Sequence, residues 1–277
     1  KGLGGKVSAL EEIKEKYGDD RRTAIEQVED EIDIEDLIEE ETCVFTMSNA
    51  GYLKRTPASA YRSQRRGGKG VNAMTTREED YVTTLFTSST HDYILFFTNT
   101  GKVHRKKGYQ IPEAGRTAKG TNLVNVLPVE QGEKVTAMIP IREFTDDEFL
   151  VFATRFGTVK RITLSSLNTA RKAGIRALNL EEGDELISVC RTDGEQDVFL
   201  VTHEGMAIRF HESDVRCMGR DAVGVRGIRL KEGDWLVPAG MTEFAKDKTF
   251  GYQASDLREY IEEKTKGAYK KEDVTCI

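Results

Sequence analysis

The sequence predicts an all-β fold: a propeller-like array of about four blades, preceded by a short helix and an acidic linker and followed by a small α/β tail. Three observations predict it. Four segments share one pattern, an apolar β-rich run, a glycine turn and a second strand bearing cations. The turn glycines, Gly51, Gly101, Gly157 and Gly205, recur every 48 to 56 residues, the period of a blade of about four short strands. A content of 38% hydrophobic and 32% charged residues is low for an enzyme core and ordinary for a thin β architecture.

The chain opens with Ser8–Tyr17, where Leu10, Ile13 and Tyr17 recur at helical spacing. Ser8 is the expected N-cap, Glu11 takes the capping-box position, and Gly18-Asp-Asp20 ends the helix. Thr23–Glu41 reads as an acidic linker with room for a short strand. Ser8–Glu41 holds fifteen acids against Lys14, Lys16, Arg21 and Arg22.

The blades span 42–91, 92–147, 148–196 and 197–242. Their first strands are the runs Val44–Ser48, Ile94–Thr98, Leu150–Thr154 and Leu200–Thr202, rich in β-branched and aromatic residues. A glycine closes each hairpin because the turn needs a left-handed residue. The residue four beyond it is arginine every time: Arg55, Arg105, Arg161 and Arg209. Each repeat then carries a second glycine, Gly70, Gly120, Gly174 or Gly224. Three end in an acidic turn, Gln131-Gly-Glu133, Glu182-Gly-Asp184 and Glu232-Gly-Asp234. The phenylalanines of these runs, Phe45, Phe96, Phe97, Phe152 and Phe199, are expected in the core, and Trp235 as packing in the fourth blade. Beyond the blades, 243–277 reads as a helix over Ser255–Lys266, stopped by Gly267, and a strand over Val274–Ile277.

The net charge of -6 hides a strong segregation. No acid occurs from Thr42 through Arg77, where Lys54, Arg55, Arg62, Arg65, Arg66, Lys69 and Arg77 all fall. The second repeat gathers Lys102, Arg105, Lys106, Lys107, Arg116 and Lys119. The third gathers Arg155, Lys160, Arg161, Arg171, Lys172 and Arg176. Equivalent positions of a blade array lie at equivalent radii. The expectation is therefore a basic rim that meets phosphates without reading sequence. A single cluster of this kind is ordinary solvated surface; clusters in phase with a repeat argue for a polyanion.

One string is more specific. Gln64-Arg65-Arg66-Gly67-Gly68-Lys69-Gly70 packs three cations and three glycines into one loop. Glycine lets backbone approach a partner closely, and the cations bind phosphate. This string resembles the signature loop of the C-terminal domain of the DNA gyrase A protein, one half of a type IIA topoisomerase. The stretch Glu12–Thr23, EIKEKYGDDRRT, is similar to the end of that protein's breakage–reunion core. The resemblance runs from about Val7 to Thr242 and does not cover Glu243–Ile277.

The resemblance implies a β-pinwheel, in which neighbouring blades exchange strands. It implies wrapping of double-stranded DNA in support of negative supercoiling. It implies partnership with the gyrase core and the B subunit in an A2B2 assembly, and a cytoplasmic, nucleoid-associated location. The implied DNA-binding residues are Gln64–Gly70 with Lys54, Arg55, Arg105, Lys106, Lys107, Arg116, Lys119, Lys160, Arg161, Arg171, Lys172, Arg176 and Arg209. No cofactor is expected in this chain, since ATP and Mg belong to the B subunit. No cutting is expected either, since no stretch resembles the family's catalytic tyrosine motif. Two alternatives stay open. One is the related domain of topoisomerase IV, against which the intact glycine-rich loop argues. The other is a protein-interaction propeller, against which the absence of a Trp-Asp dipeptide or of a Gly-Gly pair in every repeat argues.

Other chemistries find little support. Gly67-Gly-Lys-Gly70 lacks the spacing and the Lys-Ser/Thr pair of a P-loop. The four cysteines, Cys43, Cys190, Cys217 and Cys276, form no CxxC pair, so reduced thiols are expected. The four histidines show no metal-ligand spacing. No apolar run nears the roughly 20 residues that span a bilayer. The first residues lack the apolar region of a signal peptide, so none is expected.

Overall fold

A strand flanked by blades on both sides must bury both faces, and the runs Ile94–Thr98 and Leu150–Thr154 do so. The structure, a computed structural model, describes residues 4–18, 34–76, 80–169, 174–238 and 274–276. It divides into two units, Lys1–Ile38 and Glu39–Ile277.

In the first unit, α1 spans Gly4–Tyr17. It begins four residues before the predicted cap, despite Gly4 and Gly5; Ser8 is inside it. Leu10, Ile13 and Tyr17 are exposed. Ile34–Leu37, within the acidic linker, forms a 3-10 turn.

The second unit starts at Glu39. Glu39–Glu41 are tied to the blades through Thr90, whose N–H donates to Glu41 O (2.9 Å) and whose hydroxyl accepts from Glu41 N–H (3.1 Å). Its strands are β1 (Thr42–Ser48), β2 (Tyr52–Pro57), β3 (Val82–Ser89), β4 (Tyr93–Thr98), β5 (Lys102–Lys107), β6 (Thr121–Asn122), β7 (Val135–Ile141), β8 (Phe149–Thr154), β9 (Thr158–Thr163), β10 (Ile175–Arg176), β11 (Leu186–Thr192), β12 (Asp197–Val201), β13 (Ala207–His211), β14 (Val225–Arg226) and β15 (Val274–Cys276). They form four sheets in the orders β3-β1-β2-β6, β7-β4-β5-β10, β11-β8-β9-β14 and β13-β12-β15.

This order contains the exchange. Each of the first three sheets is completed by two residues that belong to the following repeat. β6 pairs antiparallel with β2 (Leu53↔Thr121), β10 with β5 (Val103↔Ile175), and β14 with β9 (Val159↔Val225). The donated segment is then anchored by one more bond to the turn glycine of the receiving hairpin. Leu123 N–H donates to Gly51 O (2.8 Å), Ala177 N–H to Gly101 O (2.9 Å), and Gly227 N–H to Gly157 O (2.8 Å). The fourth sheet differs. β12 pairs parallel with β15, and no donated strand lies on β13 among the described residues. The predicted helix Ser255–Lys266 lies outside the described residues; the predicted terminal strand is β15.

Alternation along the central strands splits the core between neighbours. In β4, Ile94 and Phe96 join the cluster shared by the first two blades, while Leu95 and Phe97 join the one shared with the third. In β8, Leu150 and Phe152 face back, and Val151 and Ala153 face forward to the fourth blade. Phe97 meets Phe152 edge-to-face at 5.6 Å between centroids. Phe199 is only half-buried, unlike the other strand phenylalanines. The acidic turns pin the hairpin tips. Asp184 accepts from Phe156 N–H (2.9 Å), Asp234 from Glu204 N–H (3.1 Å), and Asp80 from Ala50 N–H (2.9 Å). In the second repeat buried Glu133 accepts from the hydroxyls of Thr98 (2.6 Å) and Thr100 (3.1 Å) instead.

The exchange predicts where glycine is irreplaceable. A Cβ on Gly120 (φ +86) would lie 2.6 Å from Leu53 O, whereas one on Gly132 (φ +84) would meet nothing within 4 Å. Both substitutions carry the left-handed penalty, and only Gly120→Ala also pushes β6 off β2. Gly132→Ala should cost about 1 kcal/mol and Gly120→Ala roughly 3 kcal/mol, measured by denaturant unfolding of the two variants.

Candidate nucleic-acid interface

The exchange also decides where the cations go. Between each blade's second strand and its donated strand runs a crossover loop, and the first of these holds the densest run of exposed basic residues, Arg62, Arg65, Arg66 and Lys69. The first is the glycine-rich loop. Gln64–Gly70 is exposed along its whole length. Gln64 holds the loop closed on itself: its Oε1 accepts from Gly70 N–H (3.1 Å) and its Nε2 donates to Gly70 O (3.3 Å). Gly67 and Gly70 both take positive φ. Among the described residues, Arg65, Arg66 and Lys69 make no ion pair.

The second loop is stitched to the first. Arg116 Nη1 donates to Asn72 O (2.9 Å), just past Gly70. Lys119 lies over the Tyr52 ring at 4.1 Å, which keeps its ammonium at the surface of the first blade. In the third loop Arg176 is exposed and donates to Asn179 Oδ1 (3.2 Å). Arg171 and Lys172 lie outside the described residues. In the fourth loop Arg216 and Arg226 are exposed, two cations that the site prediction left out.

Two predicted rim residues are not on a surface at all. Lys54 and Lys160 are fully buried. Each stands three residues past the turn glycine, under the crossover loop of the next repeat. Lys54 Nζ donates to the carbonyls of Gly115 (2.9 Å), Arg116 (2.6 Å) and Ala118 (2.9 Å). Lys160 Nζ donates to those of Ala177 (2.9 Å), Arg220 (2.6 Å) and Ala222 (2.8 Å). Three donors meet three acceptors, so the ammonium is satisfied without a counter-ion. The lysines fold the basic loops rather than touch a ligand. Burial, with Arg220 adding and Asp221 opposing, pushes Lys160 down to about 8, which leaves it charged at neutral pH. Burial likewise lowers Lys54, with Arg116 adding to it. At the same offset the second blade has His104, buried beneath Gly174, and the fourth has Ile208, which is exposed.

The four arginines at the shared offset are joints and not free charges. Arg55 Nε donates to Ile111 O (3.0 Å), and its guanidinium pairs with Glu113 (2.9 Å) and Glu41 (3.4 Å). Arg161 pairs with buried Glu212 (3.5 Å) and covers the Phe149 ring at 4.7 Å. Arg105 covers Tyr93 and Phe144 at 4.9 and 5.3 Å. Arg209 pairs with Asp197 (3.3 Å). Lys107 donates to His91 O (2.9 Å) and lies 3.9 Å over Tyr93; Lys106 is half-buried. Of the strand arginines, Arg55 and Arg161 therefore tie one blade to the next, while Arg105 and Arg209 pair within their own blades.

The family pattern described as "DNA gyrase C-terminal domain, beta-propeller" matches residues 44–89, 92–142, 148–191 and 196–242, one segment for each sheet. The chain belongs to this family. It is 54% identical over 218 residues to the DNA gyrase A protein of Clostridium acetobutylicum, a match that takes in 79% of this chain and 26% of that protein. The chain thus spans about a quarter of that relative's length. Among solved structures it superposes on a C-terminal domain of DNA topoisomerase IV with a TM-score of 0.63 at 31% identity, covering 72% of this chain and 61% of the other. A DNA gyrase A C-terminal domain gives 0.56 at 28%, covering 71% and 64%. No helix among the described residues is long and apolar enough to cross a membrane.

The buried lysines separate from the loop cations by experiment. Lys54→Met or Lys160→Met orphans three carbonyls and should lower unfolding free energy on the order of 3 kcal/mol. In the cold, where the fold survives, the salt dependence of duplex binding should be unchanged. Arg65→Glu with Arg66→Glu should do the reverse: an unchanged melting temperature and a salt slope smaller by about 1 per lost phosphate contact. Lys160 also carries a pH signature. It binds its proton more weakly folded, at about 8, than unfolded, at the ordinary 10.5. The unfolded chain holds the extra proton between those values, so stability should rise with pH across that window. Lys160→Met should lack that rise.

Proposed function

We propose that this chain binds double-stranded DNA across its crossover loops and wraps it, in support of negative supercoiling by a gyrase assembly. The observation that carries this reading is the Gln64–Gly70 loop: exposed, self-closed through Gln64, and bearing three cations with no ion pair among the described residues, beside the Arg116–Asn72 contact. Arg65, Arg66 and Lys69 grip phosphates, and the glycines let backbone N–H groups come close enough to help. The loops recur with the blades, so a duplex following them meets fresh cations at each step. Bending 20–30 bp through 40–90° costs on the order of 1–6 kcal/mol, a cost that several such contacts offset.

The reading extends by family resemblance to partners. The chain works with a breakage–reunion core and a B subunit that supplies ATP hydrolysis and Mg, and it bends DNA without cutting it. Family membership supports this, as does the glycine-rich loop, which is the residue-level mark that favours the gyrase reading over topoisomerase IV.

The test is topological. Relaxed circular DNA is bound, treated with an added topoisomerase I and deproteinised. A positive linking-number shift that grows with protein concentration is expected. Replacing Gln64–Gly70 with alanines should abolish the shift while leaving much of the plain binding, because the other loops keep their cations. An unaltered shift would remove the loop from the mechanism, and loss of all binding would make it the main anchor.

A further inference from the structure

The last three residues of the acidic linker do more than lead into β1: they lie across the joint between the first and second blades. Buried Thr90 holds their backbone. Besides its two bonds with Glu41, its hydroxyl donates to Glu39 O (3.2 Å). The side chains reach both blades. On the first blade, Glu40 accepts from the hydroxyl of Ser89, the last residue of β3 (2.7 Å). On the second, it pairs with Arg142, just past β7. Glu41 pairs with Arg55 of β2 (3.4 Å), and the same guanidinium is bonded to Ile111 O (3.0 Å) and Glu113 (2.9 Å) of the second repeat.

The next joint shows what Glu40 stands in for. There Arg191 pairs with Glu148, at the entry to its own blade (2.8 Å), and reaches back to the second blade directly, donating to Pro140 O of β7 (3.1 Å). Arg142 likewise pairs with Asp92, at the entry to its own blade (3.2 Å). Its reach back to the first blade runs through Glu40, which holds Ser89 with the same carboxylate oxygen. The linker's carboxylate does at the first joint what an outer strand's carbonyl does at the second.

The difference is that a carboxylate can be let go. A strand carbonyl is fixed by its ladder, whereas the Glu40 and Arg142 side chains are 45% and 60% exposed. Ion pairs this open to water hold weakly one at a time and weaken further as salt screens them. The linker also has a drive to leave: Ser8–Glu41 holds fifteen acids against four cations, and like charges in one segment repel.

We propose that Glu39–Glu41 form a salt-released strap across the first blade joint, with Arg142 as the positioning residue that fastens it. Fastened, the strap sets the point from which the acidic linker leaves the blades. Released, it frees three more residues, roughly 10 Å of extended chain, and takes from Arg55 one of its two acidic partners. This inference is independent of DNA binding and is tested without DNA.

The experiment is amide hydrogen exchange on the 277-residue chain at one pH and increasing sodium chloride. It follows Glu41 N–H, which donates to Thr90, with the amides of β8 as the control. At low salt Glu41 should be protected. Near 1 M, where the screening length is about 3 Å, it should exchange roughly 5- to 30-fold faster while β8 keeps its rate. Arg142→Glu should show the fast rate at low salt, and added salt should not raise it. Adding Glu40→Lys to Arg142→Glu restores an opposite-charge pair. It should bring back the slow rate and its salt dependence, which a merely structural role for Arg142 would not do. If Arg142→Glu disturbs β8 as well, Thr90→Val decides. It keeps the side chain's shape, removes the hydroxyl bonds to Glu39 and Glu41, and should give the fast rate with β8 unchanged. A Glu41 rate indifferent to salt and to Arg142→Glu overturns the proposal, as does a charge-swapped pair that stays fast.

Discussion

The structure depends on a two-residue ladder. β6, β10 and β14 contribute few hydrogen bonds, yet each closes a sheet with residues from the next repeat and fixes one more bond to a turn glycine. A blade alone has an open edge and two apolar faces. The donated pair covers the edge, and the chain that leads to it must cross from one blade to its neighbour. That crossing creates the loops, and the first of them carries the densest run of exposed cations. Fold and candidate interface are therefore one construction.

The buried lysines connect the two. An ammonium in an apolar interior is costly unless its donors are met. Lys54 meets all three of its own, and Lys160 two of its three, with backbone carbonyls of the loop above, which no side chain of that loop needs to supply. The loop sequence is then free to be basic. A carboxylate in the same place would have neutralised some of the charge that the loop presents. The shared-offset arginines take the opposite solution, pairing with acids and aromatic rings, and lend their charge to cohesion.

The blades were legible because each carries a long apolar run, a left-handed glycine and a fixed arginine. Period and turn chemistry act locally and leave marks in sequence. The exchange was known only through resemblance, because Thr121-Asn122 or Val225-Arg226 is too short to show any period. The exposed loop Gln64–Gly70 was legible as a cluster of charge and glycine. Lys54 and Lys160 were misread as surface because a lysine satisfied by carbonyls leaves no acid to betray it. The one clue was their common offset of three from Gly51 and Gly157. The early helix start and the docking of Glu39–Glu41 on Thr90 depend on contacts that composition does not encode.

Donation from the following repeat has a consequence in time. A ribosome delivers the chain from its first residue onward, and the partner of Leu53 is Thr121, about seventy residues downstream. At 5–20 residues per second, the first hairpin waits roughly 3 to 14 seconds for the strand that covers its edge. The second and third hairpins wait similarly for β10 and β14. A nascent array thus presents an unfinished edge throughout, and briefly two, when a new hairpin is out while the one before it still waits. Quality control that recognises bare strand edges would find a target that moves along the chain with synthesis, confined to the youngest two blades.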